Sequence, residues 1–164
     1  MLASESRPAH TLAANDIAYP ESTAVLWADG FLWTANDSGL LTRWDDQTQD
    51  YKQYRLPNEL VIRALASDGQ AIFAGTEGGD IWQISDDGTQ AQIIEGESGW
   101  ISALAFRNDQ DLWYADASHF NPKDLRYHGG RGVGLLDTEK GDEGAHHPFA
   151  EQPDRKSTRL NSSH

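Results

Sequence analysis

An apolar-aromatic pair recurs along the chain at a fixed interval. Leu32-Trp33, Ile72-Phe73 and Leu112-Trp113 stand 40 residues apart, and a small residue (Ala35, Gly75, Ala115) follows each aromatic two positions later. A period of this length implies stacked copies of one supersecondary unit, because a single copy cannot bury its own apolar faces. Each copy also runs in the same internal order. A short apolar run (24–27, 64–66, 103–106) leads to a turn with Asp-Gly or Asn-Asp, then to a second run carrying the aromatic. A polar turn (NDSG, EGGD), a third run (LLTRWD, DIWQIS), another turn and a fourth run (YKQYRL, AQII) complete the first two copies. Runs of four to six residues rich in Val, Ile, Trp, Tyr and Phe between Gly, Asp and Asn turns are antiparallel strands of a meander. No stretch holds a helical period.

Four strands in about 40 residues, repeated, is the pattern of a β-propeller blade. A sandwich of irregular strands would need no fixed period. The expectation is therefore an all-β chain, an incomplete β-propeller of about three four-stranded antiparallel blades from a six- or seven-bladed ring. Blade 1 falls at 19–57, blade 2 at 58–97 and blade 3 at 98–153, with 1–18 as an N-terminal segment able to lend an outer strand to a closing blade. Blade 3 carries about thirteen extra residues, SHFNPKDLRYHGGR, read as a loop insertion at 118–131 between its second and third strands. Long loops on a rigid repeat scaffold often carry function. Three blades do not close a ring, so exposed blade edges are expected to let the chain self-associate.

Composition narrows the functional classes. The formal charge of −13 over 164 residues opposes nucleic-acid backbones and anionic membrane surfaces. With no cysteine, disulfides, thiolate zinc sites and cysteine nucleophiles are excluded. No apolar run approaches the roughly 18 residues of a membrane span, and the first residues lack the apolar core of a secretion signal. The sequence reads as soluble, with the compartment left open.

The ending, DRKSTRLNSSH at 154–164, fits neither the strand alternation nor the 40-residue register. It resembles, codon for codon, the translation of a widely used short-read sequencing adapter. It is read as an artefact outside the native chain, with the natural reading frame cut near Pro153.

Propeller ligands gather at the channel mouth, on loops entering the innermost strands and loops joining second to third strands. The first loop set offers Glu21, Glu59, Glu97 and Ser98; the second offers Asn36, Asp37, Glu77, Asp116 and His119, with Arg131 closing the insertion. The ligand-binding candidates are Asn36, Glu77, Asp116, His119 and Arg131. Convergent oxygen donors there could hold calcium, while Asp, Asn and Glu are also ordinary turn residues. GGRGVG at 129–134 precedes strand-like GLLD rather than a helix, unlike a phosphate-binding loop. His146 and His147 are adjacent, so on extended backbone they point to opposite sides. No GxSxG elbow or paired-histidine zinc spacing occurs.

YPESTAVLWADGFLWTANDSGLLTRWD, with DLWYADASHF and GVGLLDTEKG, resembles the superfamily of gluconolactonases, senescence marker proteins, paraoxonases and strictosidine synthases. IFAGTEGGDIWQI resembles the propeller repeats of bacterial sensor proteins, which bind ligands without catalysis. The first resemblance implies a six-bladed ring and, in many members, a central calcium ion that polarises a lactone or ester. It would make Glu21 a metal ligand. It also implies a second ligand, an asparagine, near Ile101 or Ser102, where this chain has none. That departure favours a small-molecule-binding or sensor-type repeat propeller. A calcium-dependent lactonase or related hydrolase is the alternative, and a protein-interaction scaffold a further one.

Overall fold

The computed structural model describes residues 21–96 and 99–148. The expected closing strand of 1–18 and the adapter-like 154–164 lie outside them, as do Glu97 and Ser98. Twelve strands form three four-stranded antiparallel sheets, each a meander. The first contains β1 (Ser22–Ala28), β2 (Phe31–Asn36), β3 (Leu40–Trp44) and β4 (Tyr51–Arg55). The second contains β5 (Ile62–Ser67), β6 (Ile72–Thr76), β7 (Ile81–Ile84) and β8 (Gln90–Ile94). The third contains β9 (Trp100–Phe106), β10 (Asp111–Asn121), β11 (Arg126–Asp137) and the two-residue β12 (Ala145–His146), reached through a 3-10 turn at Gly141–Gly144. These are three consecutive blades of an incomplete propeller.

Turn chemistry sets the strand breaks. Asp29 and Gly30 join Ala28 to its partner Phe31 with φ of 51° and 79°, the left-handed pair that a two-residue hairpin requires to match strand twist. Elsewhere carboxylate and amide side chains cap the turn that follows them: Asp45 accepts from the Gln47 and Thr48 amides, Asp68 from Gln70 and Ala71, and Asn108 from Gln110 and Asp111.

The period-2 alternation gives the middle blade two buried faces, and the repeat explains which residue goes where. Trp33, Ala35, Leu41 and Tyr54 of blade 1 pack against Ile62, Ile72, Ala74 and Ile84 of blade 2. Phe73, Ile81 and Ile94 on the other side of blade 2 pack against Ile101, Leu112, Tyr114 and Leu136 of blade 3. The recurring aromatic therefore faces the following blade, and its neighbour Leu or Ile faces the preceding one. Phe73 is fully buried, meeting Phe106 edge-on at 5.0 Å; burial of this size contributes about 1.5–3 kcal/mol. Trp113 occupies the same position but is only half-buried, because no blade follows it among the described residues. At Gly75 the spacing is tight: a Cβ there would lie 2.2 Å from Cγ2 of Ile101, so the glycine lets blade 3 approach.

One expectation needs correction. The insertion at 118–131 is not an irregular loop. β10 and β11 run on past the blade as a paired hairpin, Ser118 opposite Gly129 through Asn121 opposite Arg126. Alternating His119 and Phe120 on one strand meet Tyr127 and His128 on the other, and cross-strand ring pairs of this kind stabilise a ladder. The glycines concentrate at the bulge between Asp116 and Ser118, where the ladder shifts register.

Candidate ligand-binding mouth

The second strand of every blade carries a buried polar residue at one register position, Asn36, Thr76 and Asp116, and its use differs in blade 3. Asn36, Thr76 and Asp116 pair with Ser22, Ile62 and Ile101 of their respective innermost strands. Asn36 Oδ1 accepts from the Ser38 amide at 3.0 Å, the Ser38 hydroxyl at 3.0 Å and the Leu40 amide at 2.9 Å. Thr76 Oγ1 accepts from the Gly78 amide at 3.1 Å. Both residues close their own tight turns. Blade 3 has the long hairpin instead of that turn, so Asp116 has no turn to cap. Its Oδ2 accepts from Arg131 Nε at 2.9 Å, and its buried Oδ1 has no hydrogen-bond partner. A buried carboxylate oxygen left bare is costly, so it marks a place where a donor belongs.

A bulge repeats near the start of each innermost strand and re-aims one side chain per blade: Thr23, Arg63 and Ser102 are the extra residues. Thr23 donates to the Ile62 carbonyl, and Ser102 to the Ala115 carbonyl at 3.5 Å. Arg63 donates from Nε to Glu77 Oε1 at 2.6 Å and lays its guanidinium 4.8 Å from the centroid of the Trp100 ring. Trp100 in turn stacks on His119 at 5.2 Å with an interplanar angle of 11°. His119 neighbours His128 at 6.0 Å, and His128 Nε2 lies 2.6 Å from Asp124 Oδ2. The result is a continuous stack from the inner strand of blade 2 to the hairpin of blade 3. Nδ1 of His119 is buried without a partner.

Toward the outer strands, Tyr114 Oη and His147 Nε2 are 3.1 Å apart. The Tyr114 ring presses on Gly134, where a Cβ would come within 2.1 Å of it. Burial pushes the Tyr114 phenol above its ordinary range, with Arg131 opposing and Asp116 adding to the shift. Burial likewise lowers His147, and the Arg131 charge lowers it further while Asp116 opposes. Both groups are thereby held neutral near pH 7 beside the Asp116–Arg131 pair.

Of the residues anticipated from sequence, the structure brings Asp116 and Arg131 into one ion pair, His119 onto Trp100, and Glu77 onto Arg63. Asn36 is engaged inside its own turn. Glu21 is exposed, and no three carboxylate or imidazole side chains among the described residues gather to hold a metal ion. Where the resemblance asks for an asparagine, Ile101 is fully buried in the blade interface and Ser102 bonds to its own sheet. Sequence reading missed Arg63, Trp100, His128 and Tyr114. Arg63 had a signal: a charged residue that interrupts the apolar run VIRALA at the start of a repeat. His146 ends β12 and is exposed, while His147 turns inward to Tyr114, as opposed neighbours on extended backbone should.

A second hollow of ≈ 250 Å³ opens at the other end of the blades, between Phe31, Trp33, Arg43, Ser67 and Asp86. It exists because Ser67 stands where blade 3 places Phe106 against the preceding blade's aromatic.

The fold and mouth together define three blades of a propeller whose third blade carries an aromatic and imidazole-rich hairpin. No family model matches the sequence, and no curated protein is significantly similar to it. Among solved structures the chain is similar to the computationally designed Ika4 protein, at 17% identity over 74% of this chain and 69% of that chain, with a TM-score of 0.57. At that identity the likeness concerns the fold alone.

Proposed function

We propose that this chain belongs to a propeller that binds a small, neutral, polar ring compound at the mouth between blades 2 and 3 without acting on it chemically. The observation that carries this reading is that three side chains at the mouth between blades 2 and 3, Arg63, Arg131 and His128, each lie against a carboxylate neighbour. Arg63 is paired with Glu77, Arg131 with Asp116, and His128 with Asp124. Recognition then falls to the rims of these stacked rings and to bare polar atoms beside them, Asp116 Oδ1 and His119 Nδ1 among them. Stacking surfaces with a few fixed hydrogen-bonding atoms suit sugars and neutral heterocycles better than ions. The sensor-repeat resemblance of IFAGTEGGDIWQI points the same way.

The test is a titration of the full chain with a panel of neutral mono- and disaccharides and pyrimidines, with dicarboxylates alongside, read by intrinsic tryptophan fluorescence. At least one compound should give a saturable change that weakens tenfold or more in Trp100→Ala and in His119→Ala, with the far-ultraviolet circular dichroism unchanged. Saturation that is indifferent to both substitutions, or seen only with dicarboxylates, would overturn the reading.

A further inference from the structure

We propose that the hollow between blades 1 and 2 binds a small aromatic zwitterion, a ring carrying one carboxylate and one ammonium group, the chemistry of a free aromatic amino acid. The hollow is a ring-sized gap in a repeated interface. In blade 3, Phe106 stands opposite Leu112 in the ladder and meets Phe73 of blade 2 edge-on at 5.0 Å. The same ladder position in blade 2 is Ser67, opposite Ile72, and the aromatic lining the gap with it is Trp33 of blade 1. A hydroxyl thus stands where the repeat puts a phenyl ring, and ≈ 250 Å³ is left open beside Trp33 and Ile72. An apolar cavity of about 150 Å³ admits benzene, so this one has room for a ring and a short substituent. Its floor is set in advance: Trp33 and Ile72 are core residues, and Trp33 stacks on Tyr54 at 5.6 Å. A site that need not be ordered on binding loses less of its contact energy to entropy.

The charges around the gap choose the substituents. Arg43 rests its guanidinium 4.4 Å from the centroid of the Phe31 ring, and Asp29 and Asp86 line the opening as exposed residues. None of these three makes an ion pair among the described residues, the reverse of the mouth between blades 2 and 3. A guanidinium on a ring face keeps its in-plane N–H donors for a carboxylate, which it can grip with two parallel bonds. The two aspartates suit an ammonium group. A simple aromatic anion would meet two carboxylates beside its one cation, and a simple aromatic amine would leave Arg43 without a partner. A ring with both groups satisfies the gap, the cation and the acids together.

Isothermal titration calorimetry of the full chain with free phenylalanine should show saturable binding. Phenylpropionate, phenethylamine and leucine, which lack the ammonium, the carboxylate and the ring in turn, should each bind about tenfold or more weakly. Ser67→Phe puts the ring of blade 3 into the gap and should abolish the binding. Arg43→Gln should weaken phenylalanine about tenfold and leave phenethylamine unchanged; both variants are checked for folding by circular dichroism, and Arg43→Gln decides alone if Ser67→Phe does not fold. Trp100→Ala, at the other mouth, should leave phenylalanine binding intact, so the two sites fail separately. Absence of saturable heat up to millimolar phenylalanine overturns the proposal, as does binding indifferent to Arg43→Gln or to a folded Ser67→Phe. Leucine binding as tightly as phenylalanine overturns the ring-shaped gap, and phenylpropionate or phenethylamine doing so overturns the zwitterion.

Discussion

At the scale of single residues, the repeat works through size. Ala35, Gly75 and Ala115 share one register, yet only Gly75 has Ile101 pressed to 2.2 Å of its missing Cβ. Gly75→Ala should cost about 1–3 kcal/mol by overpacking, measured by urea denaturation, and Ile101→Val in the same chain should recover part of that loss. The recovery separates a packing clash from a backbone effect. The His147 imidazole supplies a second prediction. Its folded-state pKa lies below the ordinary 6.5, so the unfolded chain takes up the proton first as pH falls. The stability it contributes is complete above 6.5 and is lost as pH falls from there through the lowered folded value. Thermal melts should show a larger drop between pH 7.5 and 5.5 for the native chain than for His147→Gln, which keeps a polar partner for Tyr114 but does not titrate. The small residue two places after each aromatic was legible in the sequence because blade packing repeats it. The Tyr114–His147 contact was not, since it joins positions 33 residues apart that no periodicity relates.

At the scale of elements, strands were legible and the hairpin was not, for one physical reason. Alternating apolar residues mark a strand only where one face is buried, and β10 beyond Asp116 buries neither face against a neighbouring blade. Its ladder is held by cross-strand rings and polar pairs, so SHFNPKDLRYHGGR has the composition of a loop while folding as paired strands. The same reasoning separates the hairpin from the stability of the blade. Replacing 117–131 by the Asp-Ser-Gly of blade 1, together with Asp116→Asn, should let the new side chain cap a tight turn as Asn36 does. The thermal midpoint should stay within a few degrees, as deletion of exposed structure predicts, while any ligand response at the mouth disappears. Loss of the cooperative melt would show instead that the hairpin supports the core.

At the scale of the whole molecule, the acidic composition serves two opposing ends. Many carboxylates sit at turns, and four of them, Asp45, Asp87, Asp111 and Asp137, are held below the ordinary value of 3.8, led by hydrogen bonds from Thr48, Thr89, Arg107 and Gln110 respectively. The stability these hydrogen bonds contribute is present above 3.8 and lost as pH falls through the lowered values. The same residues give the chain its −13 charge, which repels itself most when the chain is compact. Salt discriminates between the two effects. Capping bonds act at contact distance and are little screened, whereas net repulsion acts over the Debye length, which shrinks from about 30 Å to 3 Å between about 0.01 M and 1 M salt. At pH 7 the urea midpoint should therefore rise with sodium chloride over that range, and the rise should shrink at pH 4.5, where partial protonation of the carboxylates has already reduced the charge. A midpoint that falls with salt at pH 7 would mean that the ion pairs at the mouth and turns outweigh the repulsion of the whole.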